Sequence, residues 1–297
     1  MDGAVVDSAA AVVPIGSHGL HYGSGVFEGM RAYETERGPA VFRLRDHLER
    51  FHRSAELLGM QIPYSVDDLV IATGEVISSN RFDACYLRPI AFYGAGELRV
   101  SSRSNPVIVG VLGWPMSTYF DAETLRVGIR AMISSWRRVG PNTIPHAAKA
   151  TGVYLNSMLA GHEALDAGYD EAILLTEDGF VADGAGETIF VVKDGVISTP
   201  DLSASILAGI TRSTVIEIAQ DLGHPVVERQ LIRTDLYLAD EVFMVGTAAE
   251  VTPVREVDRR EIGRPGEVTR QIAGAYQDIV HGRVPARHGW LEVPTPG

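Results

Sequence analysis

An α+β fold in two domains is what this sequence predicts, and three observations carry it. Strand-like runs and isolated amphipathic helices follow one another without regular βαβ repetition. Two Asp-Gly pairs sit between apolar runs, as tight hairpin turns do. A stretch of loose polarity with a proline, WPMSTYFDA, breaks the pattern. A chain of 297 residues with 45% hydrophobic content can bury two modest cores. A smaller N-terminal domain is therefore expected over 1–114 and a larger one over 123–297, with 115–122 as the loop that joins them.

Residues 40–44 (AVFRL) read as a strand, and Asp46 with Glu49 three residues later reads as a capping-box start to a helix. Leu48, Phe51, Ala55 and Leu58 give that helix an apolar face, and Gly59 stops it. Residues 84–93 and 105–113 are β-like, and a new strand signal, LRVGIRAMI, follows the break. Leu155, Met158, Leu159, His162 and Leu165 mark a helix over 152–167 that ends at Gly168. The Asp178-Gly179 and Asp194-Gly195 turns are flanked by EAILLT and TIFVV. Thr211 is expected to cap a helix with Val215, Ile218, Ala219 and Leu222 on one face. EVFMVG reads as a final buried strand running into the small-residue loop TAAE.

The net charge of -12 argues against general affinity for nucleic acid or an anionic membrane, so any phosphate must be held locally. The single cysteine, Cys85, cannot pair within the chain and reads as a structural thiol in a reducing cytoplasm. No apolar run approaches the roughly 20 residues of a membrane span, and MDGAVVDSAA lacks the basic start of a signal peptide. The chain is expected to be soluble and cytoplasmic. His18 and His21 lack further ligands in sequence, and His47 and His52 do not share a helix face, so no metal site is expected.

Scarcity is the most informative chemical signal: there are only two lysines, Lys149 and Lys193, in a chain well supplied with arginine. Lys193 adjoins the Asp194-Gly195 turn and reads as an exposed hairpin charge. Lys149 lies among small residues in PNTIPHAAKATG. A primary amine condenses with an aldehyde to a Schiff base and a guanidinium does not; a leftover surface lysine is the competing reading. A phosphorylated aldehyde also needs an anchor. Gly209, Ile210 and Thr211 stand at a helix start, and Gly246, Thr247 and Ala248 form a second small-residue turn. Arg50 is a candidate countercharge, solvation being its default role. Pyridoxal chemistry needs a carboxylate against the ring nitrogen, for which VADGAGETIF supplies Asp183 and Glu187. Tyr154 is placed to donate to the ring's phenolic oxygen, or simply to pack.

These residues resemble the fold-type-IV pyridoxal-phosphate enzymes, and within them the branched-chain amino acid aminotransferases. The likeness runs through HYGSGVFEGMRAYE, FRLRDHLERFHRSAELL, CYLRP, SSWRRVGPNTIPHAAKATGVYLNS, DGAGETIF, LAGITRS and LYLADEVFMVGTAAEVTPV. It implies two α/β domains in the D-amino acid aminotransferase-like arrangement, pyridoxal 5'-phosphate as cofactor, and at least a homodimer. It also implies transamination of Leu, Ile and Val with 2-oxoglutarate. Lys149 then matches the Schiff-base lysine, Tyr154 the tyrosine at the phenolic oxygen and Arg50 the phosphate arginine. Ile210, Thr211 and Thr247 match phosphate-binding groups. Tyr22, Phe27, Tyr86, Arg88 and Tyr119 match the substrate pocket, and Thr247 and Ala248 lie near the α-carboxylate. Three positions depart: Asp183 replaces the usual Glu, Thr188 a frequent Asn, and Met116 a common Trp. D-amino acid or (R)-amine aminotransferases, aminodeoxychorismate lyase and a catalytically weak cofactor binder are the alternatives.

Overall fold

The computed structural model describes every residue except Pro296. The chain forms two compact units. Unit 1 comprises Met1–Ser117, Ala148–Gly152 and Ile279–Gly297; unit 2 comprises Thr118–Ala147 and Val153–Asp278. The break between Ser117 and Thr118 falls inside the expected loop, but unit 1 recovers two later segments that the expected contiguous division gave to the second domain. Backbone pairing explains both returns. Phe27 N–H donates to Lys149 C=O at 3.0 Å, Val26 bridges Ala150, and Leu291–Glu292 pairs with Phe42 and Val41.

Unit 1 runs α1 (His18–Tyr22), β1 (Gly25–Phe27), β2 (Met30–Tyr33), β3 (Ala40–Phe42), α2 (Leu44–Leu57), α3 (Val66–Asn80), β4 (Cys85–Tyr93) and β5 (Val107–Pro115). Its sheet is antiparallel. β1 and β2 meet one edge of β4 in a single register, Phe27 opposite Ile90 and Met30 opposite Leu87. The ladder lapses between them because Pro89 has no N–H to return: Glu28 N–H donates to Pro89 C=O at 2.8 Å and nothing comes back. The sheet and the two longer helices close one apolar core, with Met30, Leu48, Phe51, Leu69 and Leu87 at its centre. Cys85 lies in it, its thiol pushed up to about 12 by burial, as a structural cysteine's should be.

α2 begins differently from expectation. Arg43, at φ 51°, precedes it without a side-chain cap, and Asp46 pairs with Arg43 instead of closing a box with Glu49. A capping box does open α3, where Ser65 Oγ accepts from Asp68 N–H at 3.1 Å and Asp68 accepts from Ser65 N–H at 2.8 Å.

Unit 2 runs α4 (Ala122–Val127), β6 (Ile129–Arg137), α5 (Tyr154–Asp166), β7 (Glu171–Leu175), β8 (Val181–Gly184), β9 (Thr188–Lys193), β10 (Val196–Thr199), α6 (Ile210–Asp221), β11 (Val226–Glu228), α7 (Arg233–Tyr237), β12 (Glu241–Gly246), β13 (Glu250–Val257), β14 (Arg260–Glu261) and most of α8 (Glu267–Val280). Its mixed sheet has the order β11-β10-β9-β12-β13-β6-β7-β8, with β14 beside β13. Parallel pairs join β10 to β11 and β6 to β13 and β7.

Several expectations are corrected here. The start of LRVGIRAMI is helical, because Asp121 accepts from Thr124 N–H at 2.8 Å and caps α4. α5 turns its small residues inward: Ser157, Ala160 and Ala164 are buried while Leu155, Met158 and Leu165 are exposed. Small side chains let that helix lie close to Ala172 and Leu174, which share its core cluster. Gly209 rather than Thr211 is the cap of α6, Thr211 being buried as its second residue, and Leu222 is exposed. β12 is followed by further strands, the first reached through Glu250 at φ 53°. Removing the cap of α3 by Ser65→Ala should cost about 1 kcal/mol, read as a lowered urea midpoint with an unchanged slope.

Candidate active site

One face of α2 and the interrupted edge of β1–β2 build the polar interior of unit 1. Glu28, at the lapse opposite Pro89, is fully buried and receives Arg50 in a two-pronged grip, Nε on Oε1 at 2.6 Å and Nη2 on Oε2 at 2.9 Å. Burial alone pushes the Glu28 carboxyl up, but the Arg50 charge and the His47 hydrogen bond outweigh it and hold the group well below the ordinary range. Burial pushes the His47 imidazole down, helped by the positive charges of Arg50 and Lys149 and opposed by Glu28. A neutral ring therefore donates Nδ1–H to Glu28 Oε2 at 2.7 Å, since a carboxylate only accepts.

Lys149 is held in the same unit. Its C=O accepts from Phe27, its N–H donates to Ser54 Oγ at 3.0 Å, and its Nζ stands 5.1 Å from the centre of the Phe27 ring. Arg88 lies over three rings, 4.7 Å from Phe27, 5.4 Å from Tyr86 and 5.8 Å from Trp114. Its Nε is buried without a hydrogen-bond partner among the described residues. Gly29 is required beneath this group, because a Cβ there would stand 1.9 Å from the Tyr86 hydroxyl. Phe27, Arg50, Tyr86, Arg88 and Lys149 thus fall in one unit. Tyr22 belongs to it as well, half exposed and donating its hydroxyl to Leu98 C=O at 2.8 Å.

Unit 2 holds the remaining expected residues. Three close approaches draw its loops together: a Cβ on Gly184 would meet Glu187 Oε2 at 2.9 Å, one on Gly209 would meet Thr188 Oγ1 at 3.3 Å, and one on Gly246 would meet Gly186 O at 3.5 Å. The start of α6 and the end of β12 both meet the turn after β8, Gly209 lying beside Thr188 and Gly246 beside Gly186 and Glu187; Ile210 and Thr211 follow Gly209, and Thr247 and Ala248 follow Gly246. Asp183 on β8 is gripped by buried Arg138, whose Nε donates to Oδ1 at 2.8 Å and whose Nη2 also reaches Gly184 C=O at 2.9 Å. Burial raises both Glu171 and Glu187, and the charge of Glu171 lifts Glu187 further. Tyr154 opens α5, and exposed Tyr119 packs edge-on to Phe120.

Sequence reasoning missed Glu28, His47, Ser54 and Arg138. An acid between Phe27 and Gly29 in an apolar run was the available signal for Glu28; SSWRRVG gives no cue as to which arginine turns inward.

The family model for amino-transferase class IV matches residues 25–257, a span that contains every candidate residue above except Tyr22. The chain belongs to the class IV aminotransferases. It is 46% identical over 296 residues to the branched-chain-amino-acid aminotransferase of Escherichia coli K12, covering 98% of this chain and 95% of that one. It is 44% identical over 291 residues to the corresponding Pseudomonas aeruginosa protein, covering 97% and 94%. Among solved structures it is similar to the Escherichia coli branched-chain amino acid aminotransferase, with TM-score 0.95, 46% identity and coverage of 98% and 96%. The branched-chain amino acid aminotransferase from Thermobaculum terrenum in its PLP-bound holo form gives TM-score 0.90, 34% identity and coverage of 97% and 95%.

The donor set of this aminotransferase suits a phosphorylated pyridine aldehyde. Unit 1 holds an amine and a buried guanidinium, and unit 2 separately holds a helix start where a side chain on Gly209 would crowd Thr188 and a carboxylate held by one arginine; each is a kind of group that such a molecule needs. Glu28→Gln should cost about 3–5 kcal/mol by leaving Arg50 buried without its counterion. Because the folded carboxyl ionises well below its ordinary value of 4.5, its contribution is complete above that pH and is lost progressively as pH falls from there towards the folded value. Denaturant midpoints measured from pH 7 to pH 3 should fall steeply for the natural chain and less for Glu28→Gln.

Proposed function

We propose that the chain transaminates the branched-chain L-amino acids Leu, Ile and Val, with 2-oxoglutarate as amino acceptor and pyridoxal 5'-phosphate held on Lys149. The observation that carries this reading is Lys149 itself, whose peptide is fixed by Phe27 and Ser54 in the unit that also buries Arg50. The cofactor, when bound, supplies an aldehyde for the amine and a ring that accepts the electrons released at Cα.

The remaining work belongs to the protein. Lys149 Nζ is the group that takes the proton from the substrate Cα, acting as base, and gives a proton back, acting as acid. Arg50, the backbone N–H groups of Ile210 and Thr211, and Thr247 hold the phosphate. Asp183, carried by Arg138, keeps a proton on the ring nitrogen, and Tyr154 donates to the phenolic oxygen. Burial and the charge of Glu171 favour the uncharged form of Glu187, which eases the negative charge near Asp183. Tyr22, Phe27, Tyr86 and Tyr119 offer apolar surface to a branched side chain, and Thr247 and Ala248 serve the α-carboxylate. Arg88 suits the second carboxylate of 2-oxoglutarate, because its buried Nε gains a charged partner there.

A cytoplasmic homodimer is part of the same reading, supported by the exposed apolar residues Leu98, Val100, Leu112 and Trp114; among the described residues no helix is long and apolar enough to cross a membrane. Sedimentation should give twice 32.1 kDa.

Mixing the loaded protein with L-leucine should bleach its visible absorption and release the 2-keto acid, and Lys149→Ala should abolish both. A faster response to D-alanine or 1-phenylethylamine would overturn the substrate assignment. Since one methylene changes transition-state binding by about 1–3 kcal/mol, kcat/KM for Leu, Ile and Val should fall within roughly 200-fold of one another. Arg88→Ala should raise KM for 2-oxoglutarate far more than KM for L-leucine.

A further inference from the structure

α2 presents His47, Arg50 and Ser54 along one buried face, three and four residues apart. The first two are joined to Glu28, and the third reaches a different target. Ser54 is fully buried, and its Oγ accepts the Lys149 backbone N–H at 3.0 Å. Among the described residues that amide is its hydrogen-bonding partner, whereas a serine within a helix commonly turns back to the carbonyl four residues before it. Two further bonds that fasten this segment end on backbone atoms of unit 1. Phe27 N–H holds the Lys149 carbonyl, and Thr151 Oγ1 donates to Gly23 C=O at 2.7 Å. Ser54 is therefore the side chain through which α2 grips the Lys149 peptide. One helical turn separates it from Arg50, about 6 Å along the axis.

We propose that Ser54 is a positioning residue: by tying the Lys149 peptide to the helix that carries Arg50, it sets the spacing between the reactive amine and the phosphate anchor. The inference rests on the cofactor reading above. A rigid helix is suited to this task because its rise per residue is fixed, and a reacting amine displaced by about 1 Å loses rate steeply. Glu28 clamps Arg50 on that helix, so both ends of the gauge are held by buried hydrogen bonds. Without the hydroxyl the Lys149 amide keeps its place in the chain but loses its acceptor, and the backbone at that point gains freedom.

Three proteins test this: the natural chain, Ser54→Ala and Ser54→Thr. In cofactor-free protein, amide exchange across residues 147–152 should be about tenfold faster in Ser54→Ala and restored in Ser54→Thr, which keeps an oxygen acceptor. Attachment of pyridoxal 5'-phosphate to Lys149, trapped with borohydride and read by mass spectrometry, should be about tenfold slower in Ser54→Ala. Affinity for pyridoxine 5'-phosphate, which has the phosphate but no aldehyde, should stay within about twofold. Attachment at the natural rate in Ser54→Ala, or an equal loss of pyridoxine 5'-phosphate affinity, would overturn the inference. If the natural chain forms no adduct, the cofactor reading fails first and the spacing role fails with it; an adduct in the natural chain with an indifferent alanine variant sinks the inference alone.

Discussion

A guanidinium taken out of water must be met by a carboxylate, and in this protein the meeting of Arg50 with Glu28 organises the first unit. Removing either partner leaves a lone charge where solvent does not reach, a penalty of several kcal/mol. The pair is possible because Pro89 cannot complete the sheet ladder, which places Glu28 at a lapse in the strand instead of within a regular run. His47 and the Gly29 N–H add further donors to the same carboxylate. From this cluster follow the orientation of α2, the direction of its polar face, and the hydroxyl of Ser54 that the Lys149 peptide meets.

The second unit solves a related problem with opposite bias. Three carboxyl groups, Asp183, Glu171 and Glu187, influence one another, and Arg138 bonds the first of them. Two effects ease the crowding: Asp183 is gripped by the guanidinium, and burial shifts Glu187 towards its uncharged form. The usual Glu of the family is here the shorter Asp183, and Arg138 fixes where that carboxylate sits. Electrostatic order of this kind is fixed by partners far apart in sequence, as residues 138 and 183 are.

Local patterns were legible where local physics decides them. The strands at 85–93 and 107–115, the Asp-Gly turns and the helix ended by Gly59 follow from branched side chains, positive φ and turn chemistry. Lys149 stood out because lysine is scarce, and the motifs around it resembled a family to which the chain does belong. What failed were features settled by tertiary contact. The large side chains of α5 suggested its inner face, yet close packing on the sheet selected Ser157, Ala160 and Ala164. Asp46 had the spacing for a capping box, but a neighbouring arginine competed for its carboxylate. Sequence spacing bears on His47 only by arguing against a metal site, because the acid it meets lies nineteen positions earlier.

The return of the chain to unit 1 at 148–152 and again after 278 bears on how the molecule is made. An N-terminal unit that ended at residue 117 could finish folding while the rest was still being synthesised. This one cannot: β3 lacks its neighbour Leu291–Glu292 until about 250 further residues have been synthesised, and the closure of so long a loop carries an entropic cost before any contact rewards it. The nascent first unit therefore waits with an open β3 edge, exposed to mispairing, until Leu291 and Glu292 arrive.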